Sequence, residues 1–94
     1  MVSGPAQREM ELLLAAAFPG ARIILTNDSA NHRGHSGDDG SGESHFSLHI
    51  LWDGFAGQSR VARQRAVNAA LGDIPGTRVH ALAIKAQTPS EAMT

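Results

Sequence analysis

Apolar and polar residues follow two periods along this chain, and the change from one period to the other marks out its elements. Met10, Leu13, Leu14 and Ala17 recur at i, i+3, i+4 and i+7, which predicts an apolar stripe on a helix over about residues 5–18. Ser3 is placed to cap that helix, Pro5 suits its first position, and Pro19-Gly20 ends it. Ala21 to Thr26, with Ile23, Ile24 and Leu25, is too short for a helix and rich in β-branched residues, so it reads as a strand. Phe46, Leu48, Ile50 and Trp52 alternate with His45, Ser47 and His49, giving a strand with one apolar face, and Asp53-Gly54 turns the chain. Ser59 caps a second helix running to Leu71, with Gly72 just past its end. On it Val67, Ala70 and Leu71 pack inward, while Arg60, Arg63 and Gln64 look outward. Ile74-Pro75-Gly76 breaks the chain. Arg78 to Ala86 is a last strand, with His80, Leu82 and Ile84 on one face and Val79, Ala81 and Ala83 on the other. Thr88-Pro89-Ser90-Glu91 starts a final helical turn.

The resulting order, α-β-β-α-β, predicts an α+β fold. The first two strands form a hairpin and the helix crosses over to the third, so helices pack on one face of a three-stranded mixed sheet. The whole chain, residues 1–94, reads as a single domain with a tail from residue 87. Residues 27–44 are different in kind: four glycines, two histidines and almost no apolar residue, a flexible loop of a length that is commonly functional.

Composition narrows the function classes. Four aromatic residues, Phe18, Phe46, Trp52 and Phe55, are too few for a platform that stacks several bases. Trp52 and Phe55 read as core or hairpin-packing residues. No apolar run reaches the roughly 18–20 residues of a membrane helix, and Glu9 and Glu11 argue against a leader peptide, so a soluble, cytoplasmic domain is expected. The chain has no cysteine, which removes disulfides, thiolate catalysis and thiolate metal ligation by this chain alone. No carboxylate dyad, nucleophile–base pair or nucleotide loop stands out, so no enzymatic activity is expected. The net charge of −1 conceals an asymmetry. Residues 27–44 set Arg33 against Asp28, Asp38, Asp39 and Glu43, a net −3. Residues 57–85 set Arg60, Arg63, Arg65, Arg78 and Lys85 against Asp73, a net +4. A basic half attracts phosphates or an acidic partner; a solvated helix face has the same composition.

Several segments in order resemble the BolA family: Glu43-Ser44-His45-Phe46, then Phe55-Ala56-Gly57-Gln58-Ser59-Arg60-Val61-Ala62-Arg63-Gln64-Arg65, then Val79-His80-Ala81-Leu82-Ala83-Ile84 with Thr88-Pro89 after it. The resemblance covers roughly residues 8–91 and implies a class II KH-like fold, in agreement with the periodicity. Gln64 stands where the family usually has a histidine, and Ala92 where it often has a tryptophan. The resemblance also implies a partner and a cofactor: a monothiol glutaredoxin and a bridging [2Fe-2S] cluster. The glutaredoxin and its glutathione supply thiolates and this chain supplies histidines. A DNA-binding transcriptional regulator is the alternative role that the family implies.

Five histidines carry the candidate chemistry. From composition alone, His80 in its strand reads as a satisfied core or edge histidine, but the resemblance makes it the cluster ligand of Val-His-Ala-Leu. His32 and His35 form an H-x-x-H pair in the glycine-rich loop. The pair is poor as a closed metal site, because a structural zinc site takes about four ligands, usually including cysteines. One of the two joined to His80 makes sense in an incomplete site that another protein completes. Counting forward from Asp28-Ser29 selects His32, and counting back from His45 points to His35. His45 reads as a structural hydrogen-bonding residue, and His49 lies on the polar side of its strand. Arg60, Arg63 and Arg65, with Lys85, form the candidate nucleic-acid or partner-binding set. Gly54-Phe55-Ala56-Gly57 has G-x-x-G spacing but no basic residue to clamp a phosphate backbone. The isolated chain is expected to be a monomer without bound cluster.

Overall fold

A computed structural model describes residues 4–29 and 42–93. The order of elements is α1 (Pro5–Ala17), β1 (Arg22–Asn27), β2 (His45–Leu51), a 3-10 turn (Asp53–Phe55), α2 (Arg60–Leu71), a short turn α3 (Ile74–Thr77), β3 (Ala81–Gln87) and α4 (Pro89–Ala92). The sheet order is β1-β2-β3; β1 runs antiparallel to β2, and β3 runs parallel to it. This is the mixed three-stranded α+β arrangement expected from the pattern. Ser3 and the histidine-bearing part of the 27–44 loop, with His32 and His35, lie outside the described residues. Among the described residues no helix is long and apolar enough to cross a membrane.

One face of the sheet is apolar because the registers align its alternating residues. Phe46 opposes Leu82, Leu48 opposes Ile84, and Ile50 lies between Ile23 and Ala86. Phe46, Leu48 and Ile50 are buried, and α1 and α2 contribute Ala6, Met10, Leu14, Val67 and Leu71 to the same core. The α1 stripe differs from the expected one. Its buried residues follow the single row Ala6, Met10, Leu14, continued by Phe18, whereas Leu13 is 37% exposed and Ala17 is exposed. One i, i+4 row is inclined to the helix axis, so a helix crossing at that inclination buries that row and turns its neighbour out.

Phe18, Trp52 and Phe55 close one end of the core, their ring centroids 5.0–5.4 Å apart, and the Trp52 indole N–H donates to the Pro19 carbonyl at 3.0 Å. Ser59 caps α2 by accepting from the Ala62 N–H, as expected. Gly72 follows with φ +64° and ψ −133°, a backbone that an L side chain rarely adopts. Helix α1 is capped from a distance. Its N-cap is Gly4, which has no side chain to offer, and the Glu43 carboxylate accepts from the Ala6 and Gln7 N–H groups at 3.2 and 2.9 Å. A Cβ at Gly4 would run into that carboxylate, so glycine here makes room for the cap.

Two further expectations are corrected. Arg63 does not look outward: it is 9% exposed and its guanidinium is bound inside the fold. The last strand begins at Ala81 rather than Arg78, and the parity of its first residues is reversed, with Val79 buried and His80 exposed. The physical cause is one carbonyl. Ser44 O accepts from both His80 N (2.8 Å) and Ala81 N (3.0 Å). Two consecutive N–H groups on one acceptor break the two-residue alternation, as in a bulge. Val79 thereby turns toward Ile74, to which it is hydrogen-bonded, and His80 turns to solvent.

Candidate functional site

The residues around His80 form a polar hub built from segments distant in sequence. Asn27 begins it: its Oδ1 accepts from the Ser29 N–H at 2.9 Å, and its Nδ2 donates to the Gly42 carbonyl at 2.7 Å. These bonds tie together the two ends of the long loop. Ser29, 5% exposed, directs its hydroxyl at the other strand and accepts from Ser44 N at 2.8 Å and His45 N at 3.2 Å. Ser44 is fully buried, its carbonyl holds the His80 and Ala81 N–H groups, and its hydroxyl is 2.9 Å from His45 Nδ1. A buried N–H or C=O needs a partner, so these serines act as connectors between loop root, β2 and β3.

His80 and His45 emerge from this hub with ring centroids 5.3 Å apart and planes at 54°. No described residue hydrogen-bonds to the exposed His80 ring. His45 has the expected structural hydrogen bond, to Ser44. His49, on the same open face of the sheet, is bonded through Nε2 to Gln87 Oε1 at 2.8 Å. Among the described residues no group of three or more His, Asp or Glu side chains could hold a metal ion.

The candidate basic set is divided by the fold. Arg60 and Arg65 are exposed on α2 and Lys85 is exposed on β3. Arg60 and Lys85 line a groove of about 770 Å³ between α2, β3 and α4, together with Gln58, Gln64 and Gln87. Arg63 lies in its wall but is already engaged. Its guanidinium donates to both Glu91 carboxylate oxygens at 2.6 and 2.9 Å, and to the Ala86 and Gln58 carbonyls at 3.1 Å each. It also lies 5.8 Å from the centroid of the Phe55 ring. The hydrogen bonds to Arg63, then the one from the Thr88 backbone, lower the Glu91 carboxyl to about 2, and the same pairing raises the Arg63 guanidinium above its ordinary value. Arg78 is likewise paired, with Glu9 of α1. His80 and Lys85 are five residues apart along β3, about 16 Å, so the histidine hub and the basic groove are separate places.

Sequence reasoning missed Ser29, Ser44, Glu43 and Glu91 as site-building residues. Only Glu91 had a local signal: Thr88-x-x-Glu91 is a capping-box spacing, and both of its reciprocal bonds are present. The other three act across 15–37 residues, which no local spacing reports.

Comparison with known proteins gives a consistent result. A family model described as BolA-like protein matches residues 14–91. An uncharacterised Sinorhizobium protein of the cobS 5' region is 43% identical over 83 residues, 87% of this chain and 89% of that protein. Human BolA-like protein 1 is 38% identical over 88 residues, 94% of this chain and 61% of the human protein. The chain thus spans under two thirds of that longer relative. Among solved structures, the BolA domain of SufE1 from Arabidopsis thaliana superposes with a TM-score of 0.80 at 31% identity, covering 96% of this chain and 99% of that domain.

Proposed function

The chain belongs to the BolA-like protein family, and on that premise we propose that it is a non-enzymatic adaptor that joins a monothiol glutaredoxin to share a [2Fe-2S] cluster. The observation that carries the reading is the exposed His80, turned out of its strand by Ser44 beside the root of the histidine-bearing loop. The donor set suits a shared cluster and does not suit a closed one. This chain has imidazoles and no thiolate, so its residues complete another protein's site. His80 is the ligand on the rigid strand. His32 is three residues beyond Ser29, a tether of at most about 11 Å, and His35 is the other loop candidate. Replacing thiolates by histidines raises the potential of such a centre, so the bound cluster would supply a transferable, histidine-tuned iron–sulfur unit.

DNA binding is the weaker reading, because it retains Arg60, Arg65 and Lys85 as exposed cations while Arg63 is held by Glu91. The test is co-expression with a monothiol glutaredoxin, followed by visible absorption and electron paramagnetic resonance of the reduced complex. A coloured heterocomplex is expected, and His80→Ala should lose the histidine-ligated spectrum while circular dichroism shows an intact fold. A His80→Ala complex with the wild-type spectrum, or no coloured complex from the unmutated pair, would refute the assignment.

A further inference from the structure

We propose that His45 and His80 together form a two-imidazole site for one borderline divalent cation, with zinc(II) as the reference ion, in the chain without any partner. The spacing of the rings supports this. A zinc–nitrogen bond is about 2.1 Å and an imidazole centre lies about 1.1 Å beyond its nitrogen, so two rings at a tetrahedral angle have centres about 5.2 Å apart. The observed separation is 5.3 Å.

The pair is also held from outside. The Ser44 hydroxyl takes His45 Nδ1, the kind of outer hydrogen bond that metal-ligating histidines commonly make, and it assigns Nε2 to the ion. The Ser44 carbonyl fixes the His80 backbone. One buried residue therefore orients both ligands, and little ordering remains to oppose binding. Two imidazoles leave about two tetrahedral positions for water or an incoming donor, which makes the site exchangeable rather than structural. The inference is independent of the glutaredoxin reading, in which His80 pairs with a loop histidine. It adds a consequence: since both uses need His80, zinc and a shared cluster exclude one another.

The experiment is titration of the full-length chain with zinc chloride, followed by calorimetry and by long-range proton–nitrogen spectra of the histidine side chains. One zinc ion per chain is expected, with a His45 ring nitrogen and a His80 ring nitrogen shifting together. His45→Ala and His80→Ala should each weaken binding about tenfold or more, the lower end of what losing even an outer-shell partner does. His49→Ala should leave it unchanged. His45→Gln, which keeps a polar side chain beside Ser44, should lose zinc binding equally and guards against misfolding of the alanine variant. Zinc that shifts neither ring would leave the two histidines as a packing contact and overturn the proposal. So would a His32→Ala/His35→Ala variant that loses as much affinity as His45→Ala, which would assign the ion to the loop. Neither result depends on whether a cluster forms with a glutaredoxin.

Discussion

Ser29→Ala removes a single oxygen atom and should loosen the polar hub. The Ser29 hydroxyl accepts two backbone N–H groups, from Ser44 at 2.8 Å and His45 at 3.2 Å. Ser44 is fully buried, so its N–H would be left without an acceptor, at a cost of about 1–3 kcal/mol. The space a hydroxyl vacates is smaller than a water molecule occupies, so solvent cannot repair the loss. His45 is only half-buried, and water can reach its N–H, which adds about 0.5–1 kcal/mol. The sum is about 2–3 kcal/mol, a large share of the roughly 5–14 kcal/mol that stabilises a domain of this length. Urea unfolding should show a lower midpoint with an unchanged slope, because the surface exposed on unfolding stays the same. Native-state hydrogen exchange should locate the effect, with protection falling at Ser44, His80 and Ala81, the residues linked through the Ser44 backbone. Ser47 provides the control. It is exposed and bonded to Asp28, so Ser47→Ala should stay within about 0.5 kcal/mol of the parent. Ser29→Ala within that same margin, with unchanged protection at Ser44, would refute the reasoning.

Glu91 gives a pH signature. Its folded-state value is lowered from 4.5 to about 2, so its stabilising contribution is present above 4.5 and is lost as pH falls toward 2. Thermal unfolding between pH 5 and pH 2 should show a steeper decline for the parent than for Glu91→Gln; parallel curves would show that the Arg63 pairing adds nothing to folding. Phe55 is fully buried between Phe18, Trp52 and Arg63, so Phe55→Ala should cost about 3–5 kcal/mol in chemical denaturation. Gly72→Ala meets no neighbouring atom within 4 Å, so its expected cost is purely conformational, about 1–3 kcal/mol from φ +64°, and an unchanged midpoint would contradict the assigned backbone.

Most of the fold was legible because it depends on local period. Strand β2 shows it best: strict alternation from Phe46 to Ile50 puts one set of side chains in the core whichever strands lie beside it. Helix α2 was legible from its ends, with a serine before it and a glycine after it. The α1 stripe was misread because Leu13 and Leu14 are equally apolar, and only the crossing of the helix over the sheet selects the row through Leu14. Arg63 was misread for a related reason. Charge and helical position assign an arginine to solvent, but a carboxylate 28 residues later and two carbonyls bring it inside. A buried charge is tolerable only when paired in that way.

The candidate site divides along the same line. The sequence alone identified which histidines carry the chemistry, and the absence of cysteine limited that chemistry to a shared or imidazole-only site. Alternation placed His80 with Leu82 and Ile84, facing the core. Tertiary structure reversed that, because the Ser44 carbonyl accepts two successive N–H groups and shifts the phase of the strand by one residue. It also brought His45 to 5.3 Å from His80 across 35 residues of sequence, and put the basic groove at the other end of β3. Composition and period are properties of neighbours along the chain. Which side of a sheet a residue faces at a strand's first position, and what stands next to it, is decided by hydrogen bonds from another strand.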